Sequence, residues 1–404
     1  MASDHTNPPS ALLLLPPPPA FSFSQVKDAF EPSLVHVYSE LSKALNGSSR
    51  AALLDVALEI PDLLSPSCKP RAKVFAQLQH YLTSIYTLVG AVCATHNIEL
   101  DSPGGIDTRV IFIDASENTS AFPASDCTRF GPILDLQSLA NSGRCWDSIY
   151  HLSNTTGKNL ANSFASRIDS QARDGAAASM QAITSNADWE VPHPLLVPDN
   201  QQPSTPYYSV VVGGTFDHLH VGHKLLLTAV ALVLEPLDKN QEGRLTIGVT
   251  GDALLVNKKY AEFLESWEER WQSTAAFLTA IMDFSPGKKS PRVERAFAPG
   301  PNGKTVLTRI QPNLAFDFVE ISDPFGPTIT EENLGAIVVS KETHSGGAAV
   351  NEERAKKGWK SLAVFEVDVL QSGEAGATAT DVDSFEAKIS STDIRRRRVH
   401  MAKV

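Results

Sequence analysis

Residues 210–223 read Val-Val-Val-Gly-Gly-Thr-Phe-Asp-His-Leu-His-Val-Gly-His. An apolar, β-branched run ends in two glycines and gives way to a helical pattern over His220–Leu234, so the segment reads as strand, tight turn, helix. His220 and His223 are three apart and share one helical face. They stand at the helix start, where the free backbone N–H groups and the positive end of the dipole point. The arrangement suits a polyphosphate. Gly213 and Gly214 let the backbone approach phosphate with no Cβ in the way. Thr215 offers a hydroxyl at the C-terminal end of the strand, where ligands bind in open α/β sheets. Gly222 keeps the helix start uncluttered. His218 has no place in this spacing and is expected to face solvent or to support its neighbours.

The pattern around this segment is regular. Strands are expected at Val210–Val212, Leu245–Thr250, Leu307–Ile310, Phe316–Glu320, Ala336–Ser340 and Leu362–Leu370. Helices are expected at His220–Leu234, Lys259–Asp283, from about Ala348 to Lys357, and from near Thr392. Such alternation argues for a doubly wound parallel sheet, a Rossmann-like fold, in the C-terminal half. Two insertions, Ser285–Thr305 and Gln371–Ala387, are rich in loop-forming residues and read as surface loops. At 404 residues the chain is long enough for two domains. Residues 191–206 are proline-rich and polar and read as a linker. The expected organisation is therefore an N-terminal domain over 1–190, a linker over 191–206 and a second domain over 207–404. In the first, residues 1–10 look disordered and Ala11–Leu15 is an apolar run fit for a buried strand. Val26–Leu45 and Lys73–Thr95 have helical periodicity. Arg109–Asp114 and Ile133–Leu136 read as strands, and 140–185 as helical in part. That domain is expected to be mixed α/β, with no catalytic constellation.

A second chemical segment lies near the C-terminus: Lys388-Ile-Ser-Ser-Thr-Asp-Ile-Arg395. Ser390, Ser391 and Thr392 put three hydroxyls and free N–H groups at a helix N-terminus, and Arg395 follows one turn later. This is an anion nest, although taken alone it also reads as an ordinary Ser/Thr cap. The charge balance narrows the partners. Net charge is −11, with 20% charged and 42% hydrophobic residues. Acidic residues outnumber basic ones in both halves, which disfavours broad binding to nucleic acid or anionic membrane. Cys68, Cys93, Cys127 and Cys145 form no CxxC pair and read as reduced thiols. Leu12–Leu15 is too short for a signal sequence, and Asp4 stands where a basic residue belongs. A soluble intracellular protein is expected, cytoplasmic, with the nucleus also open.

Gly-Thr-Phe-Asp-x-Leu-His-x-Gly-His together with Ile-Ser-Ser-Thr-x-x-Arg resembles the nucleotidyltransferase superfamily, whose HxGH and ISSTxxR motifs embrace the triphosphate of ATP or CTP. Three further stretches fall in order: Gly248–Lys258, Ile321–Pro327, and Val339–Thr343 with Gly346–Asn351. With them, residues 207–400 resemble eukaryotic-type phosphopantetheine adenylyltransferase, in the stand-alone form with an N-terminal extension known from fungi. The resemblance implies transfer of AMP from ATP to 4′-phosphopantetheine, giving dephospho-CoA and pyrophosphate in coenzyme A biosynthesis. It implies His223 at the α-phosphate in the transition state and His220 on the phosphates. Thr215 and Lys258 would hold the acceptor phosphate, with Lys341 as a further cation on the phosphopantetheine side. Gly213, Gly214, Phe216, Ser390, Ser391, Thr392 and Arg395 would complete the ATP site. Mg2+ would accompany ATP, held mainly by phosphates and water. Other enzymes of coenzyme A biosynthesis, such as dephospho-CoA kinase, are the further partners implied; no membrane or nucleic acid is.

Some features depart from that pattern. The bacterial form carries a tryptophan shortly before its serine motif, and Asp381–Ala387 supplies none. The run Arg395–Arg398 is denser than the motif requires, which leaves open a nuclear-import or RNA-binding patch beside simple solvation of the last helix. Gly300-Pro-Asn-Gly-Lys-Thr305 imitates a P-loop, yet Ala298 stands where its first glycine belongs and no apolar strand precedes it. The kinase that finishes coenzyme A is therefore not expected in this chain. A cytidylyltransferase shares the first motif but usually carries Arg-Thr-x-Gly-Ile-Ser-Thr at the second. An idle scaffold is the alternative outside enzymes.

Overall fold

In the N-terminal half, apolar runs buried on both faces make a parallel sheet covered by helices. The computed structural model describes residues 8–19, 21–45, 50–100, 104–116, 130–168, 179–185, 188–202, 205–238, 240–285, 292–300, 302–370 and 390–402. Elements β1 (Ser10–Leu15), α1 (Phe23–Leu45), β2 (Ala52–Glu59), α2 (Phe75–Thr95), β3 (Ile106–Asp114), β4 (Ile133–Asp135), α3 (Leu136–Ala140), β5 (Ser148–Leu152), α4 (Thr155–Arg167) and β6 (Ser179–Ile183) come first. The strands align β4-β3-β2-β1-β5-β6, every neighbouring pair parallel. Leu12–Leu15 sits at the centre, wholly buried.

The second half holds β7 (Ser209–Gly214), α5 (Val221–Val233), β8 (Gly243–Thr250), α6 (Trp267–Met282), β9 (Arg292–Gly300), β10 (Gly303–Gln311), β11 (Leu314–Ile321), β12 (Ala336–Ser340), α7 (His344–Lys356), β13 (Ala363–Val367) and α8 (Ser391–Ala402). Their order is β13-β12-β7-β8-β11-β10-β9. The first five are parallel and β10 and β9 are antiparallel to their neighbours. The chain winds from β7 outward through β8, then returns to the other side of β7 to lay down β12 and β13. This is the doubly wound, Rossmann-like sheet expected, with its reversal of strand order at the β7–β12 crevice.

Several elements differ from the sequence reading. The long helix expected from Lys259 starts only at Trp267. Tyr260 adopts φ 59°, and Ser266 and Glu269 form a capping box, each bonding the other's backbone N–H. Residues 251–266 are therefore a looped segment above the sheet. The loop expected at Ser285–Thr305 contains strand β9, whose alternating Val293 and Arg295 pair with Thr308 and Val306 of β10. Its Pro and Gly content hid that alternation; residues 286–291 and 301 lie outside the described residues. Gly300 and Gly303 are paired in this antiparallel hairpin, which is not the strand-to-helix setting of a phosphate loop. Strands β5 and β6 arise in a stretch read as partly helical, because five-residue strands carry too little periodicity to announce themselves. Leu136 belongs to α3 rather than to a strand, with Asp135 accepting the Ser138 N–H at its start. The loop expected at Gln371–Ala387, Cys127 and residues 1–7 also lie outside the described residues.

The two sheets share one continuous apolar cluster that runs from Leu13 and Tyr38 through α2 to Leu227, Val230 and Phe365. Helix α2 is apolar nearly all round, the mark of a helix covered on most sides. Polar contacts cross the same boundary. Lys224 Nζ lies 2.6 Å from Asp107 Oδ1. Arg71 donates to the Leu234 carbonyl at 2.6 Å, and the Arg71 N–H donates to Glu235. Val197 and Asp199 of the expected linker are fixed at the start of α2: Val197 N–H donates to Gln77 Oε1 at 2.8 Å and Asp199 N–H to the Lys73 carbonyl, just before the helix, at 2.9 Å. Among the described residues no helix is long and apolar enough to cross a membrane. None of Cys68, Cys93 and Cys145 is in a disulfide.

Candidate active site

The turn after β7 is built by side chains that never reach the ligand space. Phe216 takes φ 52° and is fully buried, its ring lying under Gly214. A Cβ on Gly214 would fall 2.8 Å from that ring, so only glycine fits. The expected place of Phe216 in the ATP site is not what the fold makes of it: an apolar ring is driven into the core, where it meets His223 edge-on with centroids 5.5 Å apart. Asp217 is also fully buried, and its carboxylate takes Arg395 and the Glu265 N–H at 3.0 Å. His218, expected to face solvent or to support its neighbours, does the second: it is buried among them. Its Nε2 lies 2.8 Å from the Phe263 carbonyl, its N–H donates to Glu265 at 2.8 Å, and its Nδ1 lies 3.4 Å from the same carboxylate. Burial lowers the His218 pKa, but Glu265 and Asp217 outweigh it and hold the group above the ordinary histidine value.

The paired histidines sit at the start of α5. His220 is the N-cap: its Nδ1 accepts the Gly222 N–H at 3.2 Å. That tautomer leaves Nε2–H as a donor. The His220 and His223 rings stack, centroids 3.8 Å apart. Nδ1 of His223 is buried without a hydrogen-bond partner. Burial is the main force on both, with each other's charge adding for His220. It holds His220 well below the ordinary histidine value and brings His223 to about 4. Without a ligand both are neutral donors at neutral pH.

The serine-rich helix start is 174 residues away from Asp217, yet it docks against the first motif: Ser391 Oγ donates to the Asp217 carbonyl at 2.8 Å. Arg395 is almost wholly buried. It binds the Asp217 carboxylate, the Lys259 carbonyl at 3.0 Å and Thr392 Oγ1 at 3.2 Å. Two of the three hydroxyls and the guanidinium are thus engaged in holding the helix. What the helix presents outward is its first turn of N–H groups, an anion site of the usual kind.

These parts surround one open cleft of about 1960 Å³ at the C-terminal ends of the strands. Gly213, Gly214, Thr215, His220, His223, Lys258, Lys341, Ser390, Ser391, Thr392 and Arg395 all line it; Phe216 does not. Lys258 lies beyond β8 and Lys341 beyond β12. With β7 between, two strand spacings of about 4.8 Å each keep them apart. Lys341 is paired with Asp368 at 2.5 Å, which raises its pKa.

Arg270 was invisible in the sequence, where an arginine on a helix looks like a surface charge. It is fully buried and donates to the carbonyls of Glu265, Thr215 and Thr250 at 3.0, 2.7 and 2.8 Å and to Asp252 at 2.6 Å. It ties the first motif, the end of β8 and the Lys258-bearing loop into one piece. Asp217 had a signal, its place in Thr-Phe-Asp, but nothing local announced Arg395 as its partner.

A strand–glycine turn–histidine helix facing a second helix N-terminus defines the nucleotidyltransferase class, and residues 211–397 match the family described as cytidylyltransferase-like. Residues 1–186 match a domain of unknown function, DUF8446. The chain belongs to the phosphopantetheine adenylyltransferase family. The enzyme of that name from Thermococcus kodakarensis is 32% identical over 167 residues, 41% of this chain and 78% of its own length. The phosphopantetheine adenylyltransferase of Saccharomyces cerevisiae is 32% identical over 190 residues, 47% of this chain and 48% of that one. An uncharacterised protein of Schizosaccharomyces pombe is 35% identical over 193 residues, 47% of this chain and 48% of that one. The match thus spans about half the length of the two yeast relatives.

Proposed function

We propose that this chain transfers AMP from ATP to 4′-phosphopantetheine, giving dephospho-CoA and pyrophosphate in coenzyme A biosynthesis. Residues 207–404 are the transferase domain, 1–190 an N-terminal domain and 191–206 the connection. The observation that carries the reading is the meeting of two motifs, Gly213–His223 and Ser390–Thr392, around one cleft although far apart in sequence. An oxygen of the acceptor's phosphate attacks the α-phosphorus of ATP, and the bond to the β-phosphate breaks so that pyrophosphate leaves. The nucleophile is already anionic and needs no strong base. Catalysis is then positioning and charge stabilisation. His223, its Nδ1 unpartnered, stabilises the crowded α-phosphate. His220 donates from Nε2. Gly213 and Gly214 permit close approach. The free N–H groups of the Ser390–Thr392 turn hold the leaving pyrophosphate, with Arg395 fixing that turn through Asp217.

Thr215 and Lys258 orient the acceptor phosphate. Lys341, expected on the phosphopantetheine side, follows β12 on the opposite side of β7 from Lys258, and in this reading acts instead toward the nucleotide end. Magnesium enters with ATP, held by phosphates and water. Three of the four carboxylates lining the cleft are otherwise engaged: Asp323 accepts the Phe325 and Gly326 N–H groups, Asp368 holds Lys341 and Asp393 holds Arg396, with Glu342 the fourth. They suit an ion carried by the substrate. The cytoplasm is the compartment this chemistry fits, and the kinase that accepts dephospho-CoA is the natural functional neighbour.

The test is direct. Purified full chain, ATP, magnesium and phosphopantetheine are incubated, and dephospho-CoA is detected by mass. A product that appears with ATP and not with CTP supports the reading. Product with CTP alone, or none with either, overturns it.

A further inference from the structure

The cleft has a wall that does not come from the transferase domain. His80, Thr83, Ser84 and Thr87 of α2 line it, together with Phe23 of α1. The four are spaced i, i+3, i+4 and i+7, so they make one stripe down the helix. Helix α2 is buried over most of its other faces. Thr83 Oγ1 donates to the Gln79 carbonyl at 2.8 Å and Ser84 Oγ to the His80 carbonyl at 3.0 Å. With their protons used on the helix, both hydroxyls are left as acceptors.

The same helix is clamped to the far end of the sheet. Gln79 Nε2 donates to Asp368 Oδ2 at 3.0 Å, and Gln79 Oε1 accepts the Asp368 N–H at 3.1 Å. Asp368 follows β13 and pairs with Lys341, which follows β12. His80 Nδ1 lies 3.9 Å from Asp368. The stripe therefore belongs to the β12–β13 end of the cleft, whereas Lys258 belongs to the β8 end.

With the acceptor phosphate on the β8 side, the β12–β13 side is left for the nucleoside. That side also borders the crevice where strand order reverses, the usual place for nucleotides in open parallel sheets. We infer that the N-terminal half completes the nucleotide pocket: the His80–Thr87 face of α2 contacts the adenosine part of ATP, and Gln79 is a positioning residue that fixes Asp368 and through it Lys341. The inference rests on the adenylyltransferase reading for the direction in which the reactants lie. It gives the N-terminal half a part in substrate recognition. The adenine amino group and ribose hydroxyls are donors that match the acceptors on this face.

Full-length Thr83→Phe places bulk in the cleft from a half-exposed helix position, and Gln79→Met removes the clamp at similar volume. Both are expected to raise the KM for ATP by about tenfold or more, with the KM for phosphopantetheine held within about twofold. His80→Ala is the second cleft variant should Thr83→Phe fail to melt cooperatively. A rise in the phosphopantetheine KM alone, or no change in either, overturns the inference. Calorimetric binding of α,β-methylene ATP gives a readout apart from turnover. If wild type makes no dephospho-CoA but binds the analogue, and Thr83→Phe loses it, the reaction assignment fails and the α2 pocket stands. If wild type turns over and Thr83→Phe binds the analogue as tightly, the pocket fails and the reaction stands. If wild type neither turns over nor binds the analogue, both fall.

Discussion

His223 is the residue on which the chemistry and the pH behaviour meet. Its ring touches Phe216 and His220 and its Nδ1 has no partner, so removing it leaves no buried group stranded. His223→Ala is expected to lower turnover by about a hundredfold or more while the urea midpoint moves little. Near-normal turnover in that variant would remove the assigned role. Unfolded histidine titrates near 6.5, and burial holds folded His223 at about 4. Between these values the unfolded chain binds more protons than the folded one. The ligand-free protein therefore loses stability as pH falls from about 6.5 toward 4 and keeps it above 6.5. His220, shifted in the same direction, steepens the loss. The urea midpoint measured at pH 7 and pH 5 should fall further for wild type than for His223→Gln; equal falls would show that this imidazole is not buried as described. Lys258 is tested by kinetics. Lys258→Ala should raise the KM for phosphopantetheine far more than that for ATP, and unchanged acceptor saturation would take it out of the site.

The last helix is highly polar, burying only Ile394, Arg395 and Val399, and is held by polar contacts: Ser391 to the Asp217 carbonyl, Arg397 to Glu99, and Arg395 to the Lys259 carbonyl and the Asp217 carboxylate. Asp217 and Arg395 are both buried. Breaking such a pair from one side leaves a lone buried charge and costs about 3–5 kcal/mol. Arg395→Met should therefore destabilise the fold by that order in urea unfolding, and adding Asp217→Asn should recover part of it. If the double variant is no better than the single one, the pair is not the anchor. This element also shows what a sequence can reveal. Gly213–His223 and Ser390–Arg395 were legible because each is a local device: a turn that needs glycine, a helix start that needs caps, histidines one turn apart. Their meeting was an expectation from resemblance, since no local rule joins residues 217 and 395. Arg270, the clamp of Gln79 on Asp368, and the cleft-facing stripe of α2 were missed for that reason. Each gets its meaning from partners distant in the chain. The start of α6 was misread for a related cause: the eight residues of helix-compatible sequence before Trp267 are pulled into a loop by the contacts of Asp217 and Arg270 with Glu265.

The two halves bury against each other what neither buries alone. Beside the shared apolar cluster, a line of charges crosses the boundary: Lys224 to Asp107 at 2.6 Å, Asp107 to Arg109 at 2.8 Å, Arg109 to Asp55 at 4.0 Å and Asp55 to Arg144 at 2.9 Å. Lys224 is the residue after His223, so this line ends beneath the site. At Gly131 the backbones come so close that a Cβ would fall 1.9 Å from the Ile281 carbonyl oxygen. A chain cut to begin near Pro203 would expose the α2-covered side of α5, the Phe365 ring that packs on Phe75 with centroids 5.0 Å apart, and an unpaired Lys224. An exposed apolar face of that kind promotes aggregation, and the stranded interface groups lose their partners. The truncated chain is accordingly expected to be poorly soluble and without activity, whereas the full chain should melt in one cooperative transition. Gly131→Ala tests the same contact without a cut: it must push two backbones apart and should lower the melting temperature by several degrees. Two resolved transitions in the full chain, or a soluble and active fragment from Pro203 onward, would show that the halves fold and work separately.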